Sequence, residues 1–476
     1  MKNHGERAAA DTMTTQMLMQ HQGTDHGTGG NGGSARTAAY IQNKLNQVSS
    51  DLVAAGVGEA AAVIYRVPQK LRVSNTEAYQ PMQVSIGPYH HGSPDLQEME
   101  PTKCAVVLDL CKLTGVTLVQ LVHMLDQEVK DPRKYYRSKM DMVGDEALSA
   151  QLLIDGCFLF SYLGGLRPAQ AKNQVPSSAA HVYSVDSAIQ HDILLLENQV
   201  PSSVLKAIGS AISAAQNGKV DTIPVNELAC GFIEGVFQYI PTAVKPDGFD
   251  HLVDLCYRYL QPFSQTARGG DHEITMPRGE DHGQPEVRRL RRASEYRETG
   301  IRFITQRSRR PVSLLDVTFS RGVLRIPRLV VDERTEYLLR NIVAYEQESF
   351  SSRDSYVTAY VLFVSQLMSK AEDVTLLSEK DILIHQLGSD EEVSDMFKQM
   401  SKGIVFDFSG EYHLKDVTVA LEKHYRDRRN RWMALLRHTY FSNPWLILGA
   451  VVAMVAFALG VSQAALKFFH FARNPK

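Results

Sequence analysis

The chain has 476 residues, of which 44% are hydrophobic and 22% are charged, so it has a globular composition and the length of two or three domains. Its formal net charge of -2 excludes a strong overall field that would draw nucleic acid to the molecule, and no nucleic-acid partner is expected. Its cysteines are few, odd in number and scattered, which excludes a disulfide framework and predicts reduced thiols.

The N-terminal residues 1–39 are polar and glycine-rich and carry no apolar stretch of the kind found in a secretory signal peptide. They contain too few apolar side chains to offset the entropy of ordering, so we expect a disordered arm. A domain at 40–437 follows. Its first element is predicted to be an amphipathic helix at 41–52, because apolar residues recur there at spacings of three and four.

The next two segments differ in their proline content. Residues 64–92 contain Pro68, Pro81 and Pro88, which predict extended chain and turns. Helical spacing returns at 96–129 and predicts a set of core residues: Met99, Val106, Val107, Leu110, Leu113, Leu118, Leu121, Val122 and Leu125.

Two strongly apolar segments follow, at 147–166 and 191–212. Asp192 is predicted to cap a helix that breaks before Pro201 and restarts with Ser202 as its cap. The polar side chains of the second segment allow two hypotheses, acid–base chemistry or structural capping with buried hydrogen bonds. Their spacing does not put them on one helix face, which favours the structural alternative; the residues are His191, Asp192, Glu197 and Asn198.

The C-terminal part of the domain changes its pattern. Residues 264–286 lose almost all apolar character and predict a flexible insertion. Alternation at 315–319, the turn 320–322 and the apolar return at 323–326 predict a β-hairpin. Asp332 is expected to cap the following helix, and Ser389 with Glu392 to form a capping box. The predicted fold is therefore mainly α, an α-rich α+β domain with a small hairpin or sheet.

The segment from Trp445 to Leu466 has no charged side chain and would span about 33 Å as a helix, which predicts one transmembrane helix. A juxtamembrane segment at 438–444 precedes it and a short tail at 467–476 follows. More basic residues lie before the span than after it, and no Asn-x-Ser/Thr glycosylation site occurs. Both features favour a cytosolic body anchored to the plasma membrane or an endomembrane.

The sequence contains no motif for catalysis or cofactor binding. Gly-x-Ser-x-Gly, Cys-x2-Cys, a phosphate-binding glycine loop and a dinucleotide fingerprint are all missing. The spacing of His90 and His91 from Cys104 and Cys111 does not match a structural zinc site. We therefore predict no catalytic residue, no cofactor and no metal, and identify no small-molecule substrate.

A dense arginine run begins at residue 288 and offers the main candidate interaction surface. It could bind phosphates, lipid headgroups or an acidic protein, or serve as a targeting signal. Glutamates interleave with it, so a solvated helix face is the favoured alternative. The candidate residues are Arg288, Arg289, Arg291 and Arg292.

Several segments, in order, resemble the plant family catalogued as domain of unknown function 247. They include IYRVPQKLR, AYQPMQVSIGPYHHG, MEPTK, DGCFLF, DILLLENQVP, HLVDLCY, ASEYRETGIRF, GVLRIPRLVVDERTEYLLRNIVAYEQ, EDVTLL and NRWMALLRHTYFSNPW. The resemblance implies an α-rich fold with a C-terminal transmembrane helix. It supplies no catalytic residues, because the family has no established enzymatic activity.

Some grass members of this family lie at the two self-incompatibility loci and resemble pollen-side determinants of self-recognition. The resemblance therefore favours a membrane-anchored recognition or signalling protein that binds a protein partner. Two alternatives stay open at this point: an enzyme of unrecognised type that uses His191, Asp192, Glu197 and Asn198, or a structural adaptor at an intracellular membrane.

Overall fold

The computed structural model describes residues 63–137, 144–165, 187–216, 224–237, 245–262, 290–306, 313–349, 355–427, 429 and 444–473. The chain divides into two units, 1–61 and 62–476, and all the described residues belong to the second. The predicted arm at 1–39, the helix at 41–52, the insertion at 264–286 and the juxtamembrane residues 438–443 lie outside the described part.

The first half of the second unit is helical after an extended segment at 63–92, as the prolines predict. This extended segment contains only one short α-helix and a 3₁₀ turn, α1 (Gln69–Arg72) and Glu77–Tyr79. A 3₁₀ helix at Pro94–Met99 leads into the helical part. The further helices are α2 (Glu100–Thr114), α3 (Leu118–Glu128), α4 (Asp145–Tyr162), α5 (Ser187–Asp192), α6 (Ser202–Ala215), α7 (Val225–Val236) and α8 (Leu252–Leu260).

The helical pattern at 96–129 is interrupted by a corner between α2 and α3. Gly115 ends α2 in the left-handed conformation with φ of 75°. Thr117 then starts α3 with a capping box, in which its hydroxyl accepts from the Gln120 backbone and the Gln120 side chain accepts from the Thr117 backbone. The two helical segments are bent by 103° relative to each other.

The second half combines two small sheets with further helices. After α9 (Ala293–Glu298), strand β1 (Arg302–Thr305) pairs in parallel with β3 (Val323–Ile326), which also pairs antiparallel with β2 (Thr318–Ser320). Strand β4 (Leu329–Val331) pairs in parallel with β5 (Leu383–His385). The remaining helices of this half are α10 (Glu333–Ser349), α11 (Tyr356–Leu367), α12 (Ala371–Ser378), α13 (Asp390–Met400) and α14 (Lys415–Arg426).

The local predictions in this half are largely confirmed. The β2–β3 hairpin turns at Arg321 and Gly322, both with positive φ, as a two-residue type I′ turn requires. Asp332 accepts the backbone N–H of Thr335 at the start of α10. Ser389 caps α13, but Glu392 accepts from the backbone of Gly388 rather than from Ser389, so the capping box is only half formed.

One hydrophobic core connects the helices of both halves. Its centre is α4, in which both apolar and polar side chains are buried and which packs between α2 and α6. The fold is mainly α, as predicted. The core prediction for 96–129 was wrong at Leu113, Leu118 and Val122, which are 46%, 52% and 45% exposed. Leu113 and Leu118 lie at the helix ends beside the corner, and Val122 is turned about 100° around α3 from buried Leu121.

The C-terminal helix is α15 (Pro444–Arg473). Among the described residues, no single helix is both long and apolar enough to cross a membrane; Tyr356–Leu367 and Val452–Leu466 are shorter apolar helices. The segments Pro94–Thr114 and Leu118–Glu128, which are bent relative to each other, are long and apolar enough only when they are counted together. The predicted span between Trp445 and Leu466 lies within α15, and the structure describes the side chains of residues 452–466 of this helix.

Candidate functional site: a buried polar network

Asp192 binds the backbone of the extended segment rather than a helix end. It is the last residue of α5 and is fully buried. Its two carboxylate oxygens accept three backbone N–H groups, from Met82 at 2.8 Å, Gln83 at 2.7 Å and Val84 at 2.8 Å. The prediction that Asp192 caps a helix was therefore wrong: the chain forms turns at 193–201, which we call the central loop, and α6 begins after Pro201 without a side-chain cap.

Two amides of the central loop continue this pattern. Asn198 accepts the N–H of Ile86 at 2.7 Å and donates to the carbonyl oxygen of Val84 at 3.0 Å. Gln199 donates to the carbonyl oxygens of Ile193 and Leu195 and accepts the N–H of Leu252, at the start of α8. Because a buried backbone group without a partner costs about 1–3 kcal/mol, these amides permit irregular chain to lie inside the core.

Glu197 fixes the first part of the extended segment. Its carboxylate accepts the Val67 N–H at 2.7 Å and the Arg72 guanidinium at 2.5 Å, and lies 3.5 Å from His90 Nε2. Burial acts to raise the pKa of this carboxyl, but the nearby His90 ring and the hydrogen bonds from Arg72 and Val67 outweigh burial and lower the pKa below its ordinary value. Glu197 is therefore held as a carboxylate that already has its partners.

Lys103 and Asp155 form an ion pair between α2 and α4, and both side chains are buried. The Lys103 ammonium contacts Asp155 at 2.5 Å, Glu100 at 2.5 Å and the Ser85 carbonyl oxygen at 2.9 Å. Asp155 also accepts the Gly87 N–H at 2.9 Å. Burial raises the pKa of Asp155, while Lys103 acts to lower it. The pair thus attaches two helices to the extended segment.

Gly87 lies where this segment and the central loop meet. Its φ of 72° is in the left-handed region, and a Cβ built on it would lie 2.3 Å from the Gln199 backbone oxygen. Its carbonyl oxygen accepts from Gln151 of α4 at 2.8 Å. Both its conformation and its surroundings therefore require glycine at this position.

The polar network extends to α10. Asn341 accepts the N–H of Leu196 at 2.9 Å and donates to the Ala78 carbonyl oxygen at 3.0 Å. Glu346 is buried and accepts the N–H groups of Val357 and Thr358 at the start of α11. Burial raises the pKa of Glu346 to about 7, although these donors act against the rise.

His251 connects the first described residues to α8. Its Nδ1 accepts the Asp254 N–H at 3.3 Å as the helix cap, so its Nε2 carries the proton and donates to the Val63 carbonyl oxygen at 2.9 Å. Burial lowers the pKa of His251, against the opposing effect of Asp254. This histidine is thus used as a neutral structural connector.

The four residues of the acid–base hypothesis do not form one open site. His191 Nδ1 lies 3.0 Å from Asp192, and the His191 ring packs edge-on against Tyr337. Glu197 and Asn198 bind other parts of the extended segment. All four side chains are buried, and their polar groups bind mostly backbone, which agrees with the buried-hydrogen-bond alternative.

Two further features bear on ligand binding in the described part of the chain. No group of three or more His, Cys, Asp or Glu among them could hold a metal ion. A depression bordered by Val236, Asp332, Arg334 and Leu338 holds about 30 Å³, room for about one water molecule. The buried polar network positions backbone segments within the part of the chain that the structure describes.

Two described members of the arginine run, Arg291 and Arg292, are engaged within the molecule. Arg291 Nε lies 3.2 Å from buried Glu422 of α14, and its guanidinium stacks over Tyr425 at 3.9 Å. Arg292 lies 3.4 Å from Glu295 and 3.9 Å from buried Asp373 of α12. Arg288 and Arg289 lie outside the described residues, so the interaction surface stays a prediction.

Sequence reasoning missed several members of the network, above all Lys103, Asp155, Gln199, Asn341 and Glu346. A signal was present, because Asp155 and Asn341 interrupt apolar helical runs where a polar residue is costly unless it is paired. The partners could not be predicted, since they lie far away along the chain, from 52 residues for Lys103 and Asp155 to 263 residues for Asn341 and the Ala78 carbonyl oxygen.

Two plant proteins are similar to most of this chain. UPF0481 protein At3g47200 of Arabidopsis thaliana is 28% identical over 471 residues, which cover 92% of this chain and 93% of the relative. UPF0481 protein At3g02645 of Arabidopsis thaliana is 23% identical over 523 residues, which cover 91% and 96%. No solved structure matches significantly. The sequence model of DUF247, described as a plant protein of unknown function, matches residues 64–459, and the chain belongs to that family.

Proposed function

We propose that the protein is a membrane-anchored recognition or signalling protein whose α-rich body binds a protein partner. One observation carries the proposal: every residue of α15 from 452 to 466 is exposed. Among them are Met454, Phe457 and Leu466, which are 66%, 75% and 69% exposed. A helix with such a surface requires an apolar environment that the described body does not provide.

The uncharged sequence from Trp445 to Leu466 supports an anchor, although the apolar part of α15 that the structure describes, Val452–Leu466, is by itself shorter than a span. The 30 residues of α15 extend about 45 Å, more than the hydrocarbon thickness of a bilayer. Burying a large apolar side chain is worth about 1.5–3 kcal/mol, so leaving a run of them in water would be strongly unfavourable. A lipid environment would remove this cost, which is why we assign the single-pass span to the sequence between Trp445 and Leu466.

The buried polar side chains favour binding of a partner over catalysis, because their hydrogen bonds hold the protein's own backbone. The buried carboxylates Asp192 and Glu197 accept hydrogen bonds from backbone or from neighbouring side chains, and the alternative of an unrecognised enzyme gains no support from them. The family has grass members at the self-incompatibility loci, and pollen-side recognition of self is the specific role that we propose.

The topology can be tested because the sequence has no Asn-x-Ser/Thr site and thus no background glycosylation. One sequon is placed in the arm at 29–34 and another on a lengthened tail after Lys476, each in the full chain. We expect an endoglycosidase-sensitive mass shift with the tail sequon only, which corresponds to a cytosolic body. A shift with the arm sequon only would overturn the cytosolic orientation, and a shift with neither, in a chain that stays in the soluble fraction, would overturn the anchor.

A further inference from the structure

The sheet formed by β1, β3 and β2 has an inner face in the core and an outer face. Phe303, Leu324 and Phe319 are partners in the strand register and lie on the inner face, where Phe303 and Leu324 are buried. Because successive side chains of a strand point to opposite faces, the residues between them share the outer face. All of these except Val323 are at least partly exposed. They are Arg302, Ile304, Thr318, Ser320, Val323 and Arg325.

The outer face carries cations and hydroxyl groups but no acid. Ile304 of β1 is the register partner of Arg325, and Arg302 precedes Ile304 by two residues, so the two arginines are diagonal neighbours. Arg325 Nη1 donates to Ser320 Oγ at 3.2 Å, which shows that these side chains meet on the same face. No Asp or Glu occurs in β1, β2 or β3.

The turn between β2 and β3 adds a third cation. Arg321 is exposed and has a φ of 51°, in the left-handed region. This conformation costs free energy for a residue with a side chain, and asparagine or glycine is the usual residue at this position of a type I′ turn. An arginine kept there at a cost indicates a role for its side chain. We call Arg302, Arg321, Arg325, Thr318 and Ser320 the basic sheet face.

The arginines of the basic sheet face have no acidic partner in the part of the chain that the structure describes. Arg291 and Arg292, by contrast, lie within 4 Å of carboxylates. Protection of an exposed strand edge would explain Arg302 on β1, but not Arg325, because β3 is the central strand. Guanidinium groups beside hydroxyl groups supply the donors that bind phosphate oxygens.

The hairpin lies against the end of α14. The His424 ring meets the Phe319 ring edge-on at a centroid distance of 5.7 Å, and a Cβ built on Gly322 would lie 3.2 Å from His424 Cε1. Arg321 therefore lies beside the last turns of α14, where Lys423 and Arg426 are exposed. From this end the chain continues through further arginines towards the predicted span.

The composition of the outer face distinguishes between phosphate-bearing partners. It has no aromatic side chain on which a nucleic-acid base would stack, and the net charge of -2 provides no long-range attraction for nucleic acid. Ile304, 41% exposed, lies among the arginines. Exposed cations around an aliphatic side chain, close to the chain end that leads to an anchor, suit a membrane surface that contains anionic lipids.

We propose that the basic sheet face binds the phosphate headgroups of anionic phospholipids and so holds the body against the membrane. The inference rests on the anchor of the proposed function. In cells it also rests on the cytosolic orientation, because anionic lipids are concentrated in the cytoplasmic leaflet.

The test is hydrogen exchange of the full chain in lipid nanodiscs, followed by mass spectrometry. One disc contains phosphatidylcholine and the other also contains about 30% phosphatidylserine as the anionic lipid. We expect amide exchange at 302–306 and 318–326 to be at least threefold slower in the phosphatidylserine disc, and this slowing to disappear in about 0.5 M salt. A chain that enters neither disc would overturn the anchor and this inference with it. A chain that enters both and exchanges equally in both would overturn this inference alone.

Charge-removal variants assign the slowing to the face. Arg302→Gln with Arg325→Gln should abolish it, whereas the matched control Arg66→Gln with Lys70→Gln, which removes two exposed charges from the extended segment, should retain it. Unchanged exchange in α4 shows that each variant is folded. Slowing that persists in the first double variant would overturn the site. Equal slowing by inorganic phosphate in the phosphatidylcholine disc would overturn the lipid and leave the face to a soluble phosphorylated partner.

The turn residue separates binding from a structural role. Arg321→Asn places a residue that type I′ turns favour, so the urea midpoint should stay the same or rise. The slowing by phosphatidylserine should nevertheless fall at least twofold, because one cation is lost. A lower urea midpoint with unchanged slowing would show that Arg321 serves the turn alone and would overturn its place in the basic sheet face.

Discussion

The buried ion pair between Lys103 and Asp155 allows a sharp test of the polar network. Replacement of Lys103 by Met removes the cation and leaves the Asp155 carboxylate buried with the Gly87 N–H as its remaining donor. Replacement of Asp155 by Asn removes the anion and leaves the ammonium with Glu100 and the Ser85 carbonyl oxygen. The double variant removes both charges.

Breaking a buried ion pair from one side costs about 3–5 kcal/mol, because the remaining charge has lost its partner. We expect each single variant to lose about that much free energy of unfolding. The double variant should lose about as much as one single variant rather than the sum, which corresponds to a coupling energy of about 3 kcal/mol. Without coupling, the two substitutions would be additive.

The assay is urea unfolding of the full chain in detergent micelles, followed by circular dichroism at 222 nm. As a control for cooperative unfolding, the slope of the unfolding free energy against urea concentration should be the same in all variants. The pKa of Asp155 is already raised by burial, and loss of Lys103 removes an opposing influence. A raised carboxyl pKa means that stability is gained as pH falls, so the cost of Lys103→Met should shrink between pH 8 and pH 5.5. Additive single variants, or a Lys103→Met cost below 1 kcal/mol, would refute the reasoning.

Three further substitutions test other parts of the fold by the same unfolding assay. Gly87→Ala should cost about 3 kcal/mol of unfolding free energy or prevent folding, because the new Cβ would meet the backbone of Gln199. The control is Gly92→Ala, which should cost only about 1 kcal/mol, since Gly92 has a similar φ of 80° but no atom within 4 Å of the new Cβ. Equal costs for the two variants would contradict the close contact at Gly87. Glu197→Gln should destabilise the protein most at neutral pH. Folding lowers the pKa of Glu197 from its ordinary 4.5, so the ionised carboxylate stabilises the folded state above pH 4.5. This stabilisation is lost as the pH falls through the lowered pKa. A wild-type advantage that grows on acidification would contradict that assignment. Thr117→Ala should cost about 1 kcal/mol by loss of the capping box of α3, and an unchanged midpoint would show that the cap does not stabilise the corner.

The features that could be predicted from sequence are those set by neighbouring residues. The hairpin at 318–326 depends on local alternation and on a turn that Gly322 favours, and Asp332 caps the helix that follows it directly. The corner between α2 and α3 was missed although Gly115 was visible, because apolar spacing alone does not show that a helix ends. This omission placed Leu113 and Leu118 in the core, where they do not lie.

The polar network could not be predicted because its contacts are distant in sequence. Asp192 and Asn198 were singled out as polar residues in an apolar segment, but their partners at 82–86 lie more than 100 residues earlier. The parallel pairing of β1 with β3 and of β4 with β5 was missed for a related reason: each pairs three or four residues and depends on the packing of the whole domain. Local pattern thus predicted elements, whereas tertiary packing determined how the polar residues were used.

The most direct test of the account is alkaline carbonate extraction of membranes from cells that express the full chain, in parallel with a chain that lacks 445–466. We predict that the full chain stays in the membrane pellet. The shortened chain should appear in the supernatant and unfold cooperatively at the same urea concentration as the full chain, since the polar network lies outside α15. A full chain released by carbonate would contradict the membrane anchor, and a shortened chain that fails to fold would contradict the independence of the body from α15.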